Sequence, residues 1–382
     1  MVLGLTVLAA KSSATVEPTS RKIVVFKSEV DESAKEALIN KFNGEKIKDL
    51  RLINGKAARL TARAEKELAS QPGVLRIDDD VVVEALARNG ILVKRAPNQP
   101  VETLPWGVDR IDAEKIWAIA TGTPVKVAVV DTGIDVAHPD LKDNIKGGMS
   151  AVAYSVSYND DNGHGTHVAG IIGAIDNTIG VIGVGPKIDL YAVKVLDRRG
   201  SGYLSDVIEG LDWAISNGIQ VVNMSLGTTA NILSFQEAVQ RANVAGIVQV
   251  AAAGNSGDSV NYPAAYPEVI AVSATDKSDI IASWSSRGAE VDLSAPGVSI
   301  YSTYKGQTYK TLSGTSMAAP HVAGAAALVL TAPAKCDYDG NGVCSPAEVR
   351  QRLEATAEDL GISGRDNLYG VGLVDAEKAV IQ

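Results

Sequence analysis

The chain has 382 residues, 46% hydrophobic and 21% charged, with 36 Gly and 14 Pro. That composition supports packed cores in two or three domains and excludes a disordered, collagenous or coiled-coil chain. The formal charge of −9 argues against a nucleic-acid partner gripped through its phosphates. The acidity is concentrated: residues 105–382 hold 19 Lys and Arg against 31 Asp and Glu, so an acidic body follows a nearly neutral leader.

Taken in chain order, Val2 to Ala10 has the length of a signal-peptide h-region, and Ser12, Ser13 and Ala14 suit a small-residue cleavage site. No basic n-region precedes the run, so residues 1–19 are either a truncated signal segment or no signal; secretion is expected. After it no apolar run reaches 18 residues, so no membrane partner is expected. Residues 20–86 read as a small α+β unit. Lys22 to Phe26 is a strand, Asp31 to Phe42 a helix, and Glu45 to Ile53 extended; Asn54-Gly55 then makes a hairpin turn. Lys56 to Leu60 returns, Ala62 to Ser70 is a second helix, and Val74 to Leu86 is extended. Residues 87–104 contain Gly90, Pro97 and Pro100 and no period, and are expected to be a linker.

From Pro105 onward apolar runs alternate with helical stretches. Strands are expected near Val125 to Val130, Asp189 to Val195, Val221 to Met224, Ile247 to Ala252 and Val269 to Ser273. Helices are expected near Gly165 to Ala174, Leu204 to Ser216, Ser234 to Ala245 and Ser316 to Leu330. Continuous Val/Ile/Ala strands separated by helices predict an α/β domain with a central, mostly parallel sheet and helices on both faces. Active groups in such sheets collect at the carboxyl ends of the strands.

Three segments place reactive side chains there. Asp131 ends a buried strand in VKVAVVDTGID, although an Asp there is also a common turn former or cap. DDNGHGTHVAG carries His164 and His167 at i and i+3 without a third metal-ligand pattern; His164 is the better base and His167 the better structural histidine. Ser316 opens an Ala-rich helix in GTSMAAPHVAGAAALVL; it could be only an N-cap, but Gly314 permits close backbone approach and the helix dipole favours arriving negative charge. Together an Asp, a His and a Ser can form a nucleophilic relay. Separately, DYDGNGVCSPAE at 337–348 satisfies a calcium-loop pattern with Asp337, Asp339, Asn341, Val343 (through its carbonyl), Ser345 and Glu348 as ligands and Gly342 at the sharp turn. Cys336 and Cys344 flank the loop and are candidates for a disulfide, unless an eight-residue span strains it.

DTGIDVAHPDL, HGTHVAG and GTSMAAPHVAGAAALVL resemble the active-site signatures of the subtilisin-type serine proteases, the subtilases, and the likeness covers about residues 20 to 382. It implies a subtilisin-like catalytic domain at 105–382 and a serine endopeptidase acting through Asp131, His164 and Ser316 by way of an acyl-enzyme. AAAGNSG resembles the oxyanion segment, so Asn255 is implied as a donor to the scissile carbonyl. Substrate is implied to lie as an added strand between Gly200-Ser201-Gly202 and Ser225-Leu226-Gly227, with Asn261 polarising or narrowing the first pocket where many relatives have glycine. Residues 20–86 resemble the inhibitory prodomain, a chaperone and inhibitor removed by self-cleavage near Leu86 to Ala87; a second cut after Lys94 or Arg95 is an alternative.

The resemblance also implies a calcium site from Asp140, Asn177 and the carbonyls of Ile175, Ile179 and Val181, with Glu102 joining once the linker is cut. A weaker cation site is implied near Tyr266, Val269 and Asp292. The acidic run Asn159 to Asn162 reads either as a further cation site or, the commoner case, as a solvated loop. Calcium at two or more sites, protein or peptide substrates and a monomer are the expected cofactor, partners and state. A catalytically silent subtilase fold used for binding is the rival reading, and a calcium-dependent scaffold a remoter one.

Overall fold

The computed structural model describes residues 17–93 and 99–382, at 88–93 through the backbone alone. The expected signal segment, apart from 17–19, and the alternative cut after Lys94 or Arg95 lie outside these residues. The chain divides into two compact units, one running through Asp49 and resuming at Gly55–Asp79, the other comprising Leu50–Asn54 and Asp80–Gln382.

The first unit holds β1 (Thr19–Phe26), α1 (Glu32–Lys41), β2 (Glu45–Leu50), β3 (Gly55–Thr61), α2 (Ala62–Ala69) and β4 (Val74–Asp79). Its sheet runs β2-β3-β1-β4, with β1 antiparallel to both neighbours. Both helices start where a side chain takes a free backbone N–H: Asp31 accepts from Ala34 at 2.8 Å and Thr61 from Ala64 at 3.1 Å. Val24, Phe26, Ile39, Leu60 and Leu68 close the core. The expected extended run to Ile53 stops at Leu50, because Arg51–Ile53 tighten into a 3-10 turn that Asn54 ends in the left-handed region at φ 53°.

The second unit contains β5 (Val82–Ala85), β6 (Arg88–Val93), α3 (Trp106–Arg110), β7 (Lys126–Asp131), β8 (Ile145–Ser150), α4 (His164–Gly173) and β9 (Asp189–Lys194). These are followed by β10 (Ser201–Tyr203), α5 (Leu204–Ser216), β11 (Val221–Met224), β12 (Leu226–Gly227), α6 (Leu233–Val244), β13 (Val248–Ala252) and β14 (Val269–Thr275). The chain ends with β15 (Leu293–Pro296), β16 (Ile300–Tyr304), β17 (Thr308–Ser313), α7 (Thr315–Leu330), α8 (Pro346–Thr356) and α9 (Ala376–Ile381). The central sheet, ordered β15-β14-β13-β11-β7-β9-β8, is parallel at every pairing. Strands β11, β13 and β14 are buried along their whole length, as a sheet covered on both faces requires. Helix α7 packs on β11, β13, β14 and β15 and against α4, while α5 packs on β7, β8 and α6.

Two strands of this sheet, β8 and β15, were not expected: IKGGMS has too few apolar residues to read as a buried strand, and LSAP is short. The expected linker is also corrected. Residues 88–93 pair antiparallel with β17, and Val101 and Thr103 bridge to Ile179 and Val181. Open strand and loop edges capture a segment whose own sequence carries no period.

Candidate active site

Asp131 leaves the carboxyl end of β7 fully buried. Lys194 fixes the exit by donating to Thr132 O at 2.6 Å, Asp161 Oδ1 at 2.7 Å and Leu196 O at 2.9 Å. His164 is the first residue of α4, and its Nδ1 lies 2.8 and 2.9 Å from the two oxygens of Asp131. Burial disfavours the imidazolium, but the adjacent Asp131 carboxylate outweighs it, and the His164 pKa ends above its ordinary value. Its Nε2 is buried with no hydrogen-bond partner among the described residues.

The start of α4 is held almost entirely by side chains. The N–H groups of His164, Gly165 and Thr166 donate to Asn162 Oδ1, Thr132 Oγ1 and Asp160 Oδ2. Asp160 also accepts from Asn162 N, Gly163 N and the hydroxyls of Thr132 and Thr166. Its loop, expected as a weak cation site, is instead turned inward to cap the histidine helix, because five donors already occupy the carboxylate. An Asp shortly before a helix is itself a capping signal, which neither the cation nor the solvated-loop reading of this run uses. His167 packs inside α4, its Nε2 facing Ile300 O at 3.1 Å and Lys310 O at 2.9 Å, and burial pushes its pKa down to about 3.

Ser316 is the second residue of α7. Pro320 removes the N–H that would take the Ser316 carbonyl four residues earlier. Ser225 supplies the replacement: its Oγ donates to Ser316 O at 2.9 Å while accepting from Asn223 Nδ2 at 2.9 Å. The Ser316 Oγ donates to Ser225 O at 2.9 Å, not to His164.

The chain's own strand β5 lies antiparallel between β10 and β12, with Ser201 opposite Glu84, Gly202 opposite Val83, Leu226 opposite Ala85 and Gly227 opposite Glu84. Ala85 N donates to Gly200 O at 2.9 Å and Leu86 N to Ser225 O at 3.1 Å. The Leu86 carbonyl oxygen accepts from Asn255 Nδ2 at 2.6 Å and from Ser316 N at 3.3 Å. Asn255 is aimed by Thr315, whose N and Oγ1 both donate to Asn255 Oδ1 at 3.0 Å. A Cβ on Gly314 would stand 2.6 Å from Leu86 O, so only glycine admits this peptide. A Cβ on Gly227 would stand 3.0 Å from Leu86 Cδ1 and 3.1 Å from Asn261 Cβ, which places Leu86 on a floor that Asn261 borders. These pairings put residues 80–86 in the second compact unit, so the first unit ends at Asp79, seven residues short of the boundary expected at 86.

Asp337, Asp339 and Glu348 each bring an oxygen within 4.8 Å of the others. Asn341 N donates to both aspartates, and Gly342 N to Asp337. Ser345 caps α8 in a reciprocal pair with Glu348. Val343 is exposed. Cys336 and Cys344 are joined with Cα atoms 5.4 Å apart, within the ordinary range, so the eight-residue span closes.

Asp140 and Asn177 also meet: Asn177 Nδ2 donates to Asp140 Oδ1 at 2.8 Å, Val181 N to Asp140 Oδ2 at 3.0 Å, and Asn177 N to Glu102 Oε1 at 2.6 Å. Ile175 N donates to Asp140 O and Ile179 N to Asn177 Oδ1. Burial pushes Asp140 up to about 7, helped by the nearby Glu102 charge, an environment that a cation would relieve. Glu102 was expected to arrive only after linker cleavage; it already sits here, because residues 100–103 pair with the 178–181 loop. The other weak cation expectation fails at Asp292, whose carboxylate is taken by Arg350 and Arg365 and by Ala271 N, while the Tyr266 hydroxyl donates to Asn231 and Ile232.

Residues 122–372 match the subtilase family. Subtilisin E of Bacillus subtilis (strain 168) is 42% identical over 97% of this chain and 93% of its own length. A thermostable alkaline protease of Halalkalibacterium halodurans is 42% identical over 99% of this chain and 98% of its own. Subtilisin DY of Bacillus licheniformis is 50% identical over 73% of this chain and 99% of its own. With a parallel α/β sheet and these similarities, the chain belongs to the subtilase family and is a serine endopeptidase.

Proposed function

We propose that Asp131, His164 and Ser316 form the catalytic triad, that Asn255 and the Ser316 N–H form the oxyanion hole, and that the protein matures by cutting its own Leu86–Ala87 bond. The observation that carries this reading is the Leu86 carbonyl oxygen, which accepts from both Asn255 Nδ2 and Ser316 N. Those donors stand where negative charge develops during acyl transfer.

In this reading the Ser316 hydroxyl leaves Ser225 O and turns to the unpartnered His164 Nε2. The oxygen attacks the Leu86 carbonyl carbon while Nε2 takes its proton. Asp131 holds the other ring nitrogen as N–H and balances the imidazolium. The imidazolium then returns the proton to the departing Ala87 nitrogen, leaving Leu86 as an acyl ester on Ser316; water, deprotonated by His164, releases it. Residues 20–86 then act as chaperone and inhibitor, with 80–86 left as the strand in the cleft.

Calcium would be held by Asp337, Asp339, Asn341, Glu348 and the Val343 carbonyl, with Ser345 closing the ninth position. A second ion would be held by Asp140, Asn177, Glu102 and the neighbouring loop carbonyls. All are oxygen donors, as calcium prefers, and the ion would supply charge compensation and loop cross-linking, taking no part in peptide hydrolysis. An extracellular site of action is supported by the Cys336–Cys344 disulfide.

The test is intact mass and N-terminal sequencing of wild type beside Ser316→Ala, both with calcium. A chain beginning at Ala87 from wild type alone is expected. Equal processing of both, or persistence of folded full-length wild type, overturns the assignment and favours the silent-fold reading.

A further inference from the structure

Alternate side chains of an extended strand face opposite ways. Leu86 lies over Gly227, while Ala85 and Ala87, its neighbours on either side, both line a cavity of about 350 Å³ next to His164. Their methyl groups leave most of that space unfilled. Lys310 and Leu312 line the same cavity from β17, two residues apart and therefore on one face.

Lys310 is half-buried, with its Nζ 4.7 Å from the centre of the Tyr304 ring. The Tyr304 hydroxyl in turn donates to Asn162 O, which ties this corner to the entrance of α4. No carboxylate pairs with Lys310 among the described residues, and residues 1–16 and 88–98 contain no Asp or Glu that could. Burial, with nearby Lys305, pushes the Lys310 pKa down, as expected for an ammonium short of counter-charge. Arg199, the other cation on the cavity, is already paired with Asp197. The sole acidic residue lining it, Glu84, belongs to the strand that occupies the cleft.

We propose that Lys310 is a specificity-determining residue: it selects substrates with a carboxylate side chain at the position of Ala85 or of Ala87, flanking the residue whose carbonyl is attacked. This rests on residues 82–87 standing where substrate lies. The carboxylate fills the cavity and supplies the counter-charge that Lys310 lacks, and the chain's own Ala-Leu-Ala sequence forgoes that contact.

The experiment uses the mature enzyme and quenched-fluorescence peptides with Leu before the cut, varying the two flanking positions among Ala, Gln, Glu and Lys. Glu is expected to exceed its isostere Gln about tenfold in kcat/KM at one of the two positions, the scale of a partly desolvated ion pair. The preference should shrink as salt rises to about 0.5 M and invert toward Lys in Lys310→Glu, which a purely structural role would not produce. Cleavage of the Ala peptide after Leu with Glu and Gln within about twofold at both positions, or a Glu preference unchanged in Lys310→Glu, overturns the proposal while leaving the active site intact. Failure to cut the Ala peptide after Leu refutes the substrate reading and this inference together.

Discussion

Asp160 offers the sharpest test of how the histidine is held. Its carboxylate takes three backbone N–H groups, those of Asn162, Gly163 and Thr166, and two hydroxyls. Truncation in Asp160→Ala strands all three N–H groups, since the hydroxyls can rotate and the backbone cannot. At about 1–3 kcal/mol for each buried donor left unpaired, with water recovering part of the loss, the expected cost is about 4 kcal/mol. In Asp160→Asn the amide oxygen can keep the three donors on Oδ1, while its NH2 opposes the N–H of Thr166, for a cost of about 1–3 kcal/mol. For a domain of this size that converts to a fall in Tm of roughly 10 °C for Ala and roughly 3–8 °C for Asn. The assay is thermal unfolding followed by circular dichroism, in a Ser316→Ala background so that self-digestion does not intervene. An Asn variant as unstable as the Ala variant, or an Ala variant within about 2 °C of its parent, would refute the capping argument.

The raised His164 pKa has a signed consequence, because in the proposed mechanism the neutral imidazole is the base. Activity is lost as pH falls through the folded pKa, so the acid limb of kcat/KM should lie above pH 6.5, the ordinary histidine value. In Asp131→Asn burial remains while the carboxylate's attraction is gone, so the limb should move to lower pH as kcat falls roughly 10⁴-fold; a limb that stays in place contradicts the assigned partner. For calcium, titration calorimetry of Glu348→Gln in the Ser316→Ala background should return one equivalent fewer than its parent. Saturating the 337–348 loop at a hundredfold excess over Kd should stabilise the parent by about 2.7 kcal/mol, and unchanged stoichiometry would remove the loop from the calcium sites.

Much of the site is legible from local rules. Asp131 ends a continuous apolar strand, His164 opens a helix directly after Gly163, Ser316 sits second in a helix that follows Gly314, and the proposed calcium ligands of 337–348 fall within one short loop. Caps, turns and periodicity act over a few residues, so sequence alone determined a parallel α/β domain behind a small α+β unit and picked out the reactive side chains. Tertiary structure decided the partners. Pro320 announces a carbonyl without its helical donor, but only packing brings Ser225, 91 residues away, to supply one. Asp160 reads as a loop acid and Asp292 as part of a weak cation site, yet one turns inward onto a helix start and the other is closed by Arg350 and Arg365. The stretch 88–93 has no period of its own and is a strand because β17 offers an edge. A buried polar group must find a partner wherever the chain brings one. Which residue that is depends on contacts between segments far apart in sequence, and local pattern cannot carry that information.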